Sequence, residues 1–325
     1  MNIAVVYQST IGSAWCVSEG IVSTLRSMGH QVLDMPQSGY RLDSVSWWTR
    51  LNEINYGDLL IISGADYAYW QRRFGGYHTE TACPDYSGTL AKIKPPKFAM
   101  YFESRGMWPD LAQDFPWLAN AFDHSFYPAV QDAEELDLQF PGKCHWLPFS
   151  ADTNVFFPRG IARQFELGFI GHVYPERQTF LDEYYKLIPS NDFAPIIGHA
   201  TVEDIEGVNI PDSTQRMAYN LNRLKVLVCL PTKAQEMVTK IYEGMACGCC
   251  VLAPYLQGAA AKNMQGIEHG RDLLFYNPTP RGLLEMVRVV KSDPALVEQI
   301  GFNAAITVMR EHTMQKRMEF LLSKR

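Results

Sequence analysis

The sequence predicts an α/β protein made of two doubly wound domains, each with a mostly parallel sheet. Three observations support this fold class. The chain has 325 residues, a length that fits two α/β domains better than one small domain. Short apolar runs alternate with segments of helical periodicity. The alternation begins again after Pro158, so we expect a second domain there.

The first half of the chain opens on an apolar run, residues 3–7, followed by a segment with Trp15, Ile21 and Leu25 at helical spacing. Gly29 is expected to end that helix. Short apolar runs farther along are typical of buried strands. The predicted strands of this half are residues 3–7, 31–35, 59–63, 97–102, 122–127 and 145–148.

The second half repeats the pattern with five strands and five helices. Thr279-Pro280 and Asp293-Pro294 each place a capping side chain before a proline, which predicts two helix starts. The predicted strands are residues 165–171, 193–198, 226–230, 250–253 and 273–276. The predicted helices are residues 176–187, 214–224, 234–246, 280–290 and 294–309, and an amphipathic helix over 311–322 ends the chain.

Composition limits the classes of function. The chain is 47% hydrophobic and 20% charged, which is typical of a globular protein with an ample core. Its net charge of −6 argues against a general binder of nucleic acid or anionic membranes. No basic leader and no membrane-length apolar run are found, so we expect a cytoplasmic protein without a transmembrane segment.

Seven cysteines form no repeating framework. Cys247 and Cys250 have C-x-x-C spacing, but no second pair completes a zinc site, so we interpret them as small buried apolar residues. Metal binding at this pair is the alternative. We predict no metal site.

The most informative stretch runs from Lys240 to Pro254. Glu243 lies on a helix of small residues that breaks at Gly248, and a short apolar strand follows it. One carboxylate at such a position can accept two hydrogen bonds from a vicinal diol, as a ribose offers. This pattern predicts a carboxylate beside a ligand.

The block resembles the "E-A-M-A-C-G-x-P-V" stretch of family-4-like GT-B glycosyltransferases. Residues 169–177 resemble the "G-N-x-Y-P-x-R" motif of their CgeB-like branch, and residues 146–158 resemble the interdomain linker. The resemblance implies a GT-B fold, with two Rossmann-like domains facing a cleft. It implies an acceptor domain over 1–150, a nucleotide-sugar domain over 151–310, and a C-terminal helix, 311–325, that packs back on the first domain.

The donor phosphates are expected near the turn after the strand at 165–171. Gly171 allows backbone N–H groups to approach a phosphate, with His172 beside it, and Arg177 adds a forked cation. The alternative is an ordinary turn with a surface arginine. Lys240 lies one helical turn before Glu243, so it is either a second phosphate cation or the partner of an intrahelical ion pair.

The family pattern has two glutamates separated by seven residues, and this chain departs from it. Counting back from Glu243 gives Gln235, and Glu236 is one place off. Gln235 still offers hydrogen bonds to a sugar hydroxyl. Thr232 and Lys233 belong to the same loop, so we include all four residues in the predicted donor site.

A loop in the first half offers a second anion site. Gly12 and Ser13 lie between the first strand and the first helix, where backbone N–H groups can hold an anion. In GT-B enzymes the equivalent loop faces the donor phosphates. The segment also resembles the phosphate loop of flavodoxins, so a flavin-binding redox domain is one alternative.

The reaction centre and the acceptor site are assigned to the first half. Glu103 follows the predicted strand 97–102, and strand tips face the crevice of an open sheet. The alternatives are a salt bridge to Arg105 or a helix cap. Aromatic rings stack on sugars, so we expect the aromatic side chains of one loop in the first half to form a platform for the acceptor. The alternative is that these aromatic side chains pack on their own domain. His124 is either an acceptor contact or a satisfied sheet histidine. The acceptor residues are Tyr69, Trp70, Arg73 and His124.

The predicted function is transfer of a sugar from a nucleotide diphosphate sugar to an acceptor hydroxyl. The catalytic residues would be Glu103, Arg177 and Lys240. The resemblance implies retention of configuration and no catalytic metal, and the nucleotide sugar is a co-substrate rather than a cofactor. The acceptor is a glycan, a metabolite, a protein or a modified nucleic acid. A catalytically silent nucleotide-sugar or glycan-binding protein of this fold is a further alternative.

Overall fold

The computed structural model describes residues 1–9, 17–38, 54–55, 57–64, 92–102, 115–171, 173, 175–188, 197–198, 213–231 and 236–325. The chain divides into two compact units. Unit 1 comprises Met1–Pro148, Ala234–Glu236 and Met314–Arg325. Unit 2 comprises Phe149–Lys233 and Met237–Thr313.

Unit 1 is built on a parallel sheet with the strand order β2-β1-β3-β4-β5-β6. The strands are β1 Asn2–Ser9, β2 Gln31–Ser38, β3 Leu59–Ser63, β4 Lys97–Met100, β5 His124–Tyr127 and β6 Cys144–Trp146. The helices are α1 Val17–Ser27, α2 Phe115–Ala121, α3 Val130–Gln139 and α9 Met314–Leu322. α9 packs against α1.

The core of unit 1 comes from apolar side chains of the strands and of the helices beside them. Val6, Leu60 and Ala99 come from three neighbouring strands and are all fully buried. α2 and α3 were not predicted from the sequence. α3 has weak amphipathic character, because Asp132 is buried with the apolar residues of that helix.

Unit 2 contains a second parallel sheet with the strand order β11-β10-β9-β7-β8. The strands are β7 Phe165–Phe169, β8 Ile197–Gly198, β9 Leu224–Val228, β10 Cys250–Pro254 and β11 Leu274–Tyr276. The helices are α4 Pro175–Lys186, α5 Ser213–Asn222, α6 Thr239–Ala246, α7 Pro280–Ser292 and α8 Pro294–Glu311, with a 3₁₀ helix at Gly258–Met264.

The starts of α6 and β9 in unit 2 differ from the prediction. The helix predicted over 234–246 begins only at Thr239, because Val238 has an extended backbone with φ −65° and ψ 152°. Leu224, predicted to end a helix, instead begins β9, where it pairs with Phe165. The two predicted proline helix starts are confirmed: Thr279 accepts a hydrogen bond from the backbone N–H of Gly282, and Asp293 accepts one from Leu296.

The prediction of two mostly parallel sheets is confirmed by both strand orders. Their strand pairs all run parallel, which requires crossover connections on the faces of each sheet. Within the described part of the chain, no helix has the length and apolar character needed to span a bilayer.

Candidate ligand site in unit 2

The sheet of unit 2 has a topological switch point between β7 and β9. These strands are neighbours, yet the chain leaves β7 toward β8 on one side and leaves β9 toward β10 and β11 on the other. In open α/β sheets the crevice at such a point binds ligands outside the carboxyl ends of the strands. Gly171 follows β7 and Cys229 follows β9, so both flank this crevice.

Lys240 occupies the crevice beside the turn after β7. A Cβ atom added to Gly171 would lie 2.6 Å from Lys240 Nζ, so the ammonium fills the space that a side chain would need. Glycine at 171 is therefore required for this approach. The pairing of Gly171 with Lys240 connects two motifs that are 69 positions apart in the sequence.

The ring of Phe169 brings two cations together. It is buried at the end of β7, with Lys240 Nζ 5.8 Å and Arg177 Cζ 5.7 Å from its centroid. Cation–π attraction holds both side chains at this ring. Two cations close to one ring repel each other, and a multiply charged anion between them would relieve that repulsion.

The charge on Lys240 is poorly compensated. Burial lowers the pKa of Lys240, and Arg177 lowers it further, while Cys229 and Glu243 act in the opposite direction. In the part of the chain that the structure describes, Lys240 forms no ion pair. A half-buried ammonium that forms no direct ion pair among the described residues is well suited to an anionic ligand.

Glu243 lies one turn farther along α6, on the same side as Lys240. Burial raises the pKa of Glu243 to about 7, and the Lys240 ammonium opposes that rise. The carboxylate is half-buried and accepts no hydrogen bond from any residue that the structure describes. Its acceptor capacity is therefore available to a ligand with hydroxyl donors.

The amino end of α6 adds a third positive element. Val238 precedes the helix and supplies no side-chain cap, and the buried hydroxyl of Thr239 has no hydrogen-bond partner among the described residues. The first N–H groups of a helix carry partial positive charge and attract anions. Lys240 is the second residue of the helix, so an anion placed at this helix end would be close to its side chain as well.

Two residues that the sequence did not indicate hold this site in place. Arg163 donates hydrogen bonds to three backbone carbonyls: Cys247 at 2.6 Å, Leu224 at 2.8 Å and Leu221 at 3.1 Å. It thereby ties the carboxyl end of α6 to α5 and β9. Tyr276 donates its hydroxyl hydrogen to the Cys229 carbonyl at 2.6 Å and fixes the end of β9.

The cysteines of the C-x-x-C pair are buried and free, as is Cys249 between them. Burial raises the pKa of the Cys250 thiol to about 12, so it stays protonated. Among the described residues, no group of three His, Cys, Asp or Glu is arranged to hold a metal ion.

Only part of the predicted site lies in the described structure. Gly171, Arg177, Lys240 and Glu243 are brought together, and Glu236 is buried. The remaining predicted residues of the donor, reaction and acceptor sites lie outside the described residues: Gly12, Ser13, Tyr69, Trp70, Arg73, Glu103, His172, Thr232, Lys233 and Gln235.

His124 is placed differently from the prediction. The predicted strand starts at residue 122, whereas β5 begins at His124 itself, so His124 lies at the amino end of its strand. Its Nδ1 is 2.9 Å from Nε2 of His145 on β6, and its ring packs edge-on against Phe98. These contacts favour the alternative interpretation, a satisfied sheet histidine.

Comparison with known proteins gives a family match for the second half of the chain. Residues 166–323 match a family described as "Glycosyl transferase-like". The matched segment contains the whole ligand site described above. No protein with a curated description matches the sequence.

Solved structures resemble the whole chain. HepE from Anabaena, in complex with UDP-glucose, is 14% identical with a TM-score of 0.66, covering 99% of this chain and 100% of that one. A glycosyltransferase from Rickettsia africae is 10% identical with a TM-score of 0.62, covering 99% and 97%. Sucrose-phosphate synthase from Thermosynechococcus elongatus is 12% identical with a TM-score of 0.59, covering 99% and 98%. The prediction of a GT-B fold is confirmed; the CgeB-like branch stays a prediction.

Proposed function

We propose that this chain is a glycosyltransferase that moves a sugar from a nucleotide diphosphate sugar to an acceptor hydroxyl. The observation that carries the proposal is the position of Lys240, whose ammonium packs on Gly171 and forms no ion pair among the described residues. A diphosphate at the switch point would supply the missing negative charge.

The same groups would assist departure of the nucleotide. Negative charge grows on the diphosphate as the glycosidic bond breaks, and pre-positioned cations stabilise that charge without reorganisation. Lys240 and the amino end of α6 supply two of these positive groups, and Arg177 at the first turn of α4 supplies a forked one.

Glu243 would bind the ribose. Its carboxylate lies one turn along α6 from the phosphate cation, which matches the order of phosphate and ribose in a nucleotide. A vicinal diol donates two hydrogen bonds to one carboxylate, and an ionised acceptor makes such bonds strong. Ribose binding would also favour the ionised form of Glu243.

Two similarities support the proposal. The family match covers residues 166–323, which hold every residue of the described site. The similar structure HepE was solved with UDP and with UDP-glucose, so uridine diphosphate is the first nucleotide to test. Retention of configuration, independence of metal, a catalytic role of Glu103, and acceptor binding by Tyr69, Trp70 and Arg73 belong to the proposal as well.

Calorimetric titration with UDP and with uridine tests the phosphate assignment. We expect Lys240→Ala to weaken UDP binding about tenfold or more, corresponding to ~1.4 kcal/mol, and to leave uridine binding unchanged. Lys225→Ala is the matched control, since Lys225 pairs with Glu166 on the surface at 2.6 Å. Equal UDP affinities in both variants would contradict the role of Lys240.

Turnover separates the enzyme from the second candidate, a nucleotide-sugar-binding protein without activity. That candidate is favoured by Gln235, which stands where the family has its first glutamate. Release of UDP from UDP-glucose, with and without added acceptors and with EDTA, distinguishes the two. Binding with no UDP release under any condition would favour the silent protein.

A further inference from the structure

The outward face of α8 carries an exposed apolar stripe. Phe302 is 65% exposed, Ile306 45% and Met309 39%. They stand at spacings of four and three residues, so they adjoin on one face of the helix. The opposite face packs into unit 2 through Val297, Ile300, Gly301, Ala304, Thr307 and Val308.

The stripe differs from Leu138, the most exposed of the large apolar residues that the structure describes. Leu138 is 84% exposed, but it stands alone on α3. Single exposed apolar residues are common on protein surfaces, whereas adjoining ones mark contact surfaces. The stripe on α8 is therefore a better candidate for a contact surface than Leu138.

Charges flank the stripe in an order that indicates the partner. Glu298 lies one turn before Phe302, and Arg310 lies one turn after Ile306. The four residues form one ridge with a spacing of four positions. In an antiparallel copy of this ridge, Arg310 lies opposite Glu298 and Ile306 lies opposite Phe302. The ridge is therefore complementary to its own antiparallel copy.

We propose that α8 is a self-association surface that packs antiparallel against α8 of a second copy of this chain. Interdigitation of such ridges gives a helix crossing near −50°. Phe302 of each copy would then contact Ile306 of the other, and Glu298 of each would pair with Arg310 of the other. This contact is closed and two-fold symmetric, so it limits the assembly to a dimer.

The existing contact of Arg310 does not oppose this pairing. Its Nε lies 2.9 Å from the carboxylate of Glu311, on an exposed part of the helix. Surface ion pairs of this kind contribute little and exchange easily. The stripe covers only about two helical turns, about 11 Å in length, so the dimer should be weaker than one with a standard-sized interface.

Sedimentation velocity of the full chain over a concentration series tests the proposal. We expect the unmodified chain to dimerise in the micromolar range and Phe302→Glu to remain monomeric at every concentration. Leu138→Glu is the matched control, because it places the same charge at a more exposed leucine, and it should dimerise normally. Circular dichroism and thermal melting check that each variant is folded.

Charge reversal tests the antiparallel register. Glu298→Arg and Arg310→Glu should each weaken the dimer about tenfold or more. An equimolar mixture of the two single variants should dimerise again, because every facing pair is then of opposite charge. The double variant should also recover.

A chain that stays monomeric at all concentrations overturns the proposal. Single reversals that leave the dimer unchanged also overturn it. Monomeric protein that binds anionic vesicles through Phe302 would assign the face to a membrane instead. None of these outcomes depends on the proposed transferase activity.

Discussion

Two carboxylates in unit 2 differ sharply in what surrounds them. Asp272 is fully buried and accepts hydrogen bonds from Thr307 Oγ1 at 2.7 Å, Arg271 Nη2 at 2.8 Å and the backbone N–H of Glu268 at 2.9 Å. Glu243 is half-buried, and its carboxylate has no such partner among the described residues.

The two environments shift the pKa in opposite directions. Burial alone would raise the pKa of Asp272, but the hydrogen bonds from Arg271, Glu268 and Thr307 bring it below its usual value. Burial raises the pKa of Glu243 to about 7, because Lys240 compensates it only partly. A satisfied buried carboxylate stabilises the fold, whereas an unsatisfied one costs stability unless a ligand completes it.

Removing Asp272 should have the largest effect. We expect Asp272→Ala to lower the free energy of unfolding by about 3 kcal/mol, because buried donors lose their acceptor, while the affinity for UDP stays unchanged. Urea denaturation measures the first quantity and calorimetry the second. Glu268→Ala is the control, since that exposed side chain also pairs with Arg271. A loss below about 1 kcal/mol would show that the network does not stabilise the fold.

Glu243→Gln should have the opposite pair of effects, on ligand affinity rather than on folding stability. It should weaken UDP binding by about 1.5–3 kcal/mol through loss of charge-assisted hydrogen bonds, without lowering the free energy of unfolding. Calorimetric titration measures the affinity, and Glu285→Gln, at an exposed position on α7, controls for the change in net charge. Unchanged affinity in a folded variant would remove the ribose assignment.

Removing a single hydrogen bond to Asp272 should lower the free energy of unfolding less than removing Asp272 itself. Thr307→Val removes the donor at 2.7 Å and keeps the shape of the side chain. We expect it to lower the free energy of unfolding by about 1 kcal/mol. Chemical denaturation of this variant beside Asp272→Ala shows how much of the network depends on Thr307. A loss as large as that of Asp272→Ala would mean that the other donors contribute nothing.

The last expected effect is a pH dependence. The pKa of Glu243 is raised, so the folded state binds more protons than the unfolded state as pH rises from the usual glutamate value toward 7. Stability is therefore lost as pH rises from the usual glutamate value to about 7, and Glu243→Gln should be more stable than the unmodified chain at pH 8 but not at pH 5. For Asp272 the sign is opposite: its stabilisation is lost as pH falls through its lowered pKa. Denaturation at both pH values checks this, and a constant difference would contradict it.

The sequence predicted the parts of the site that local patterns encode. Gly171 after a strand and Lys240 one turn before Glu243 are recognisable within a few residues, and the structure brings them together. The boundary of α6 was wrong by five residues, because the helix begins at Thr239 and not at residue 234. Val238 adopts an extended backbone there, which the apolar periodicity alone did not indicate.

The parts that were missed depend on contacts distant in sequence. Arg163 bonds a carbonyl 84 positions away at Cys247, and Thr307 bonds Asp272 across 35 positions. No local pattern marks an arginine that binds backbone carbonyls, since those groups are present at every residue. The pairing of His124 with His145 also depends on strand order, which places β5 beside β6.

The Arg163 hydrogen bonds have a consequence for mutational tolerance. Its three oxygen acceptors are main-chain atoms, so these three hydrogen bonds depend on the path of the backbone and not on the side chains of the acceptor residues. The segments it joins can therefore drift in sequence while α6 keeps its place, provided that each new side chain still packs. Arg163 itself cannot be substituted as freely, because lysine lacks the forked guanidinium that donates to several carbonyls at once. Homologues with diverged acceptor segments should retain this arginine.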